Sequence, residues 1–184
     1  AALRDANTIV ERDKLLRWDF ASHWPTRRVF IDARGMEKHG VNEAEIDTLM
    51  AILRSFLNWA NRVGPPPGRR SKRWEVACLS FYLRQEIAMR DALRKLTQQK
   101  DQHTRFSTDN VEIVSGTVDR FQGREADLVL LSMRNTGRIG FLDSPNRLNV
   151  SLTRGRQQLC IVGNAGYFNR CEVSELEKKK KKST

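Results

Sequence analysis

The sequence predicts an α/β protein, a parallel sheet with helices on both faces. Three observations carry this. Short runs of consecutive apolar residues, such as 29–31 and 128–131, read as strands buried on both sides. These runs alternate along the chain with segments whose apolar residues recur every three or four positions, the period of a one-sided helix. The chain has 184 residues and is 39% hydrophobic, enough to bury one core of moderate size. In such sheets ligands bind beyond the ends of the strands, so the residues next to each strand carry most information.

Residues 1–27 are mixed and polar around Trp18, Phe20 and Trp24, with a helix expected near 3–18. Arg28-Val29-Phe30-Ile31-Asp32 reads as a short buried strand, with Gly35 as a breaker after it. Over 43–63, Ile46, Leu49, Met50, Leu53, Leu57 and Ala60 fall on one helical face. Gly64-Pro65-Pro66-Pro67-Gly68 stops that helix, because proline lacks an amide donor and clashes with the preceding turn. Arg69, Arg70, Lys72 and Arg73 continue the loop. A strand is expected over 74–80, then a helix over 83–98 with Ile87, Leu93 and Leu96 inside, then a polar loop over 99–110. Further strands are expected at 111–118 and 128–132, a helix or helical turn at 147–156, and a last strand at 159–162 closed by Gly163-Asn164. The organisation is an appendage over 1–27, one domain over 28–171 and a charged tail over 172–184.

Lys and Arg number 33 against 22 Asp and Glu, a net charge of +11. The lysine run 178–182 contributes five of these, and the rest of the chain is still basic. A basic body suits a polyanionic partner such as nucleic acid, and equally a merely soluble surface. No apolar run approaches the roughly 20 residues that span a bilayer, and the early charges Arg4, Asp5, Glu11 and Arg12 leave no signal-peptide core. An intracellular protein with no membrane partner is expected. Cys78, Cys160 and Cys171 are odd in number and widely spaced, which suits free thiols in a reducing compartment. His23, His39 and His103 are scattered, and no zinc site is expected.

No Gly-x-x-x-x-Gly-Lys-Ser/Thr string occurs, so no phosphate cradle of that kind is encoded. The informative blocks lie in the C-terminal half. Thr117-Val118-Asp119-Arg120-Phe121-Gln122-Gly123-Arg124-Glu125-Ala126-Asp127 leads into the strand Leu128-Val129-Leu130-Leu131-Ser132. Then comes Gly140-Phe141-Leu142-Asp143-Ser144-Pro145-Asn146-Arg147-Leu148-Asn149-Val150-Ser151-Leu152-Thr153-Arg154-Gly155-Arg156, succeeded by Leu159-Cys160-Ile161-Val162-Gly163-Asn164. In order, spacing and flanking strands these blocks resemble motifs V and VI of superfamily-1 DNA/RNA helicases, in the group that holds Senataxin and the helicase of nonsense-mediated mRNA decay. Upstream, Val29-Phe30-Ile31-Asp32 with Asn42-Glu43-Ala44 is similar to the opening strand and helix of that family's second RecA-like domain. Ser80-Phe81-Tyr82 with Gln85 is similar to its Thr-Pro-Tyr element, with Phe81 where the family has Pro.

The resemblance implies a RecA-like, P-loop NTPase-type sheet, the second of two such domains. ATP and Mg2+ are the implied cofactors, with the metal ligands on a first domain, and single-stranded RNA or DNA is the implied track. Arg154 would be the arginine finger, because a phosphoryl transition state spreads negative charge that a guanidinium from a facing domain stabilises. Gln122 would orient a γ-phosphate oxygen or water. Gly123 would let the backbone approach a phosphate, and Glu125 would accept from the ribose hydroxyls. Arg156 would bind nucleotide, an acidic group such as Glu125, or nucleic acid. Thr117 and Asn149 would hold strand phosphates. Ser80 and Tyr82 would do the same, with Tyr82 stacking a base or serving as core. Asp119 would couple strand to nucleotide, or be an ordinary turn carboxylate. Arg134, Asn135 and Arg138 would touch phosphates or stay solvated. Gly155 stands where the family has Ala, and on a helix it would loosen the finger. Without a first domain the fragment would not hydrolyse ATP. The other expectation is a nucleic-acid-binding or regulatory module that kept the fold and lost the motor.

Overall fold

The computed structural model describes residues 18–20, 24, 26–68, 72–99, 104–135 and 151–170. Six strands form one sheet: β1 (Arg28–Asp32), β2 (Trp74–Ser80), β3 (Arg105–Ser107), β4 (Val111–Thr117), β5 (Ala126–Ser132) and β6 (Gly155–Gly163). The helices are α1 (Glu43–Val63), α2 (Leu83–Thr97) and α3 (Ala165–Arg170), with a single 3-10 turn at Asp119–Phe121. The strand order is β1-β6-β5-β2-β4-β3. All neighbours are parallel except β3, which runs antiparallel to β4 at the edge.

Alternation along the strands divides the core in two. Val76, Cys78, Val111, Ile113, Leu128, Leu130, Cys160 and Val162 point to one face. There they meet Ile46, Leu49, Leu53 and Phe56 of α1 and Met89 and Leu93 of α2. Ala77, Leu79, Val129, Leu131 and Leu159 point to the other. Among the described residues that face is covered by Val118 and Phe121 of the crossover between β4 and β5, by Leu152 and by Phe168 of α3.

Trp18, Phe20 and Trp24 also lie on the first face. Trp18 and Phe20 pack on the aromatic group of Phe56, Trp59 and Trp74 with ring centroids 5.0–5.8 Å apart, and Trp59 Nε1 donates to Asp19 Oδ1 at 2.5 Å. Of the described residues in the 1–27 stretch, Phe20 is buried in this core and Trp18 and Trp24 pack against it. α1 ends at Gly64, whose φ of 77° requires glycine and whose N–H donates to the Ala60 carbonyl.

Four sequence expectations are corrected. β3 lies inside the stretch expected as a loop over 99–110; only Phe106 of its three residues is buried, so no apolar pattern announced it. β6 begins at Gly155, not Leu159. Gln157 and Gln158 are buried in it because the Arg27 guanidinium donates to Gln157 Oε1 and Gln158 Nε2 donates to the Thr26 carbonyl. Helix over 147–156 is found only at Ser151 and Leu152, with 147–150 outside the described residues. Ile87 is 42% exposed rather than inside, since α2 turns Gln85, Glu86, Met89 and Leu93 inward. The helix expected near 3–18 and the tail lie outside the described residues, apart from Trp18, which is not helical.

Candidate nucleotide and nucleic-acid edges

Parallel strands give the sheet two unlike edges, one of strand beginnings and one of strand ends. The crossover from β4 to β5 takes eight residues, 118–125, and passes from one edge to the other. It crosses on the thinly covered face, held there by Phe121, which is 3% exposed and carries the Arg124 guanidinium 5.2 Å from its ring centre. Thr117 therefore stands at the edge of strand ends. Gln122, Gly123 and Glu125 lead to the edge of strand beginnings, all exposed. Gly123 has φ 78°, and a Cβ there would meet nothing within 4 Å, so the requirement is for backbone conformation and an open approach.

Arg154 joins Glu125 at this edge. The Ala126 N–H, next after Glu125, donates to the Arg154 carbonyl at 3.1 Å. The Arg154 side chain is half-buried; its guanidinium donates to the Arg124 carbonyl at 3.4 Å and to Thr153 Oγ1 at 3.2 Å. Two motifs 30 residues apart are thus stitched together by backbone. A cleft of about 260 Å³ opens beside them, lined by Glu75, Arg105, Glu112, Arg124 and Glu125 among others.

Just inside the stitch lies an ion cluster. Arg156 pairs with Glu75 on β2, and its Nε lies 3.3 Å from Asp127 Oδ1 on β5. Asp127 is fully buried, and its other oxygen accepts the Glu75 N–H at 2.9 Å. Burial of Arg156 works against its charge, but Asp127, then Glu75 and Glu125, lift its pKa above the ordinary value. Of the alternatives open for Arg156, the acidic-group pairing is the one present, and it stands on a strand rather than a helix. The pairing of Ala126 with Gly155 shifts register to Leu128 with Gln158, a bulge. A Cβ on Gly155 would sit 2.8 Å from the Gln158 carbonyl oxygen, so glycine here fits the bulge instead of loosening a helix.

The opposite edge carries Ser80, Thr117 and Ser132. Ser80 is fully buried, and its Oγ accepts the Tyr82 N–H at 3.3 Å. Tyr82 is 8% exposed, with the Arg134 guanidinium 3.5 Å above its ring centre. Both side chains are thus largely buried, Tyr82 within the thin-face core cluster and beneath Arg134. Phe81 is buried in the thin-face core. Asp119 is exposed in the 3-10 turn. Asn149 and Arg138 lie outside the described residues.

Sequence reasoning missed Glu45, which is fully buried and organises this edge. It accepts from Asn42 Nδ2 at 3.0 Å, Ser132 Oγ at 2.6 Å and the Arg134 N–H at 2.7 Å. Gln85 links the same Ser132 hydroxyl to the Asn42 backbone. Desolvation raises the Glu45 pKa, opposed by the hydrogen bonds from the Ser132 hydroxyl and the Arg134 N–H. The only signal was a Glu on the apolar side of an amphipathic helix. Cys78 and Cys160 are buried free thiols, both pushed up to about 12 by burial. Among the described residues no group of His, Cys, Asp and Glu is placed to hold a metal ion, and no helix is long and apolar enough to cross a membrane.

Residues 2–166 match the AAA domain family. The chain is 32% identical over 164 residues to "Helicase required for RNAi-mediated heterochromatin assembly 1" of Schizosaccharomyces pombe, which covers 83% of this chain and 15% of that protein. It is 31% identical over 168 residues to "Regulator of nonsense transcripts 1 homolog" of Drosophila melanogaster, covering 86% of this chain and 13% of that protein. The chain thus spans about one-seventh of the length of these relatives. Its fold is similar to the C-terminal domain of a possible DNA helicase from Lactobacillus plantarum, with TM-score 0.51 at 17% identity over 89% of this chain and 88% of that one. The chain belongs to the AAA domain family, and within it to the superfamily-1 helicase group that its two motif blocks resemble.

Proposed function

We propose that this chain is the second RecA-like half of an ATP-dependent superfamily-1 helicase that moves along single-stranded RNA or DNA. One observation carries the reading: Glu125 and Arg154 stand together at one edge of the sheet, while Thr117 stands at the other end of the crossover that leads to Glu125. ATP and Mg2+ would lie between that edge and a first RecA-like domain, supplying the transferable phosphoryl group and the countercharge on its oxygens. The residues here suit that neighbour, for Glu125 and Gly123 are exposed and Gly123 has open space above it.

Glu125 accepts from ribose hydroxyls, and Gly123 lets the backbone come close to a phosphate. Gln122 orients a γ-phosphate oxygen or the attacking water. Arg154 brings positive charge to the transition state when the two domains close, an effect worth roughly 10³–10⁵ in rate in related chemistry. Arg156 does not reach the nucleotide in this reading; with Glu75 and Asp127 it braces the strand from which Arg154 projects. Thr117 and Asn149 hold strand phosphates, and Asp119 couples that grip to Gln122. Ser80 and Tyr82 form the floor beneath the strand.

The alternative, a regulatory module without a motor, draws on the lack of a first domain in this sequence and on the departures at Phe81 and Gly155. Neither departure favours it, since Phe81 packs into the core and Gly155 fits a bulge. The isolated chain is expected to hydrolyse no ATP above background, whereas the whole protein does so when single strands are added. A phosphate-release assay on both checks this, and robust turnover by the isolated chain refutes the division of labour.

A further inference from the structure

The segment between β1 and α1 folds back on itself. Lys38 and Val41 exchange backbone hydrogen bonds at 2.8 and 3.0 Å around His39 and Gly40, whose φ values are 52° and 85°. Two positive φ angles in a two-residue loop mark a tight hairpin of the mirror-image type. His39 is among the few residues that tolerate this region, and Gly40 is its natural partner.

Groups distant in sequence seat the hairpin. Arg84, near the start of α2, donates to the His39 carbonyl at 3.2 Å. Arg134, just after β5, donates to the Gly40 carbonyl at 3.4 Å. Arg134 is itself fixed: its φ is 61°, its N–H is held by buried Glu45, and its guanidinium lies on Tyr82. The acids facing the turn are Glu37, which accepts the Gly40 N–H at 2.7 Å, and Glu45 beneath it. Lys38, His39 and Arg84 are exposed, so three chain segments bring Lys38, Arg84 and Arg134 together at the edge of strand ends. β5, β2 and β4 are consecutive neighbours, so the end of β5, from which the chain runs on to Arg134, lies roughly 10 Å from Thr117 across two strand spacings.

We propose that this hairpin is a phosphate contact for the single-stranded nucleic acid, with Lys38 and Arg84 holding one backbone phosphate on the far side of the track from Thr117. The proposal rests on the helicase reading and extends it. Contacts of this kind hold the strand in register without reading its sequence.

The test is fluorescence anisotropy of this chain with a labelled single-stranded oligouridine and its deoxy counterpart over a salt series. Lys38→Ala and Arg84→Ala should each weaken binding about three- to tenfold, and the two together should make the log–log salt slope shallower by about 0.7, one phosphate contact. His39→Asn keeps the turn and should change little. Gly40→Ala removes no charge, but its Cβ would stand 2.8 Å from Arg84 Cδ at a positive φ, so binding should fall there too, with circular dichroism unchanged. If the chain binds and Thr117→Ala weakens it while Lys38→Ala and Gly40→Ala do not, the hairpin proposal is overturned and the track reading survives. If the chain does not bind single strands at all, both fall.

Discussion

The two faces of the sheet are built differently. One carries two helices of 21 and 15 residues and an aromatic cluster that draws in Trp18 and Phe20. The other, among the described residues, carries an eight-residue crossover, Leu152 and a short helix. The thick face holds the fold together and has none of the residues assigned to the nucleotide. The crossover and the bulged start of β6 carry Gln122, Gly123, Glu125 and Arg154 to one edge. Under the proposed function, stability and chemistry separate onto opposite sides of one layer, and substitutions on the two sides should fail in different ways.

The largest effect is expected from Arg154→Ala in the whole protein. Its guanidinium donates to the Arg124 carbonyl and to Thr153 Oγ1 at the rim of the sheet, so folding and nucleotide affinity should stay near normal while ATP turnover falls roughly 10³–10⁵-fold. Steady-state hydrolysis and nucleotide titration measure the split. On the thick face, Phe56→Ala removes a fully buried ring and should cost about 3–5 kcal/mol of stability, measured by urea unfolding of this chain. Equal loss of turnover with unchanged stability in that variant would break the comparison.

The Arg156 cluster sits between the two regimes. Asp127→Asn leaves part of a buried ion pair uncompensated and should cost about 1–3 kcal/mol. Paired with Arg156→Ala in a double-mutant cycle, it should show coupling rather than additivity. Gly155→Ala should cost about 1–3 kcal/mol through the close approach to the Gln158 carbonyl.

The smallest effect concerns pH. Burial raises the Glu45 pKa above its ordinary 4.5, so the folded state favours the protonated form. That contribution to stability is complete below about 4.5 and is lost as pH rises through the folded-state value. Glu45→Gln should flatten the slope of stability against pH above 4.5, tracked by thermal melts in a buffer series. An unchanged slope would mean that another group sets it.

Much of the thick face was legible because its signals are local. The 3.6-residue period runs cleanly from 43 to 63, and the runs at 28–32 and 74–80 coincide with strands, while the one expected over 111–118 ends a residue earlier at Thr117. The motif residues of the thin face were legible through order and spacing. The features that stayed hidden depend on partners distant in sequence. Gln157 and Gln158 look polar until Arg27 and the Thr26 carbonyl are beside them. Arg156 finds Glu75 at a separation of 81 residues. Glu45 reads as one more charge on a helix until Ser132 and Arg134 meet it. β3 has a single buried side chain and is held by its neighbour's backbone.

The proposed function turns on one crossover that links a strand-gripping edge to a nucleotide edge. Its most direct test is a titration of the whole protein's ATPase with single-stranded RNA, wild type against Thr117→Ala. The account predicts that half-saturation moves to higher strand concentration while the plateau rate at saturating strand is kept. A collapsed plateau with an unmoved midpoint would put Thr117 at the nucleotide and contradict the claim.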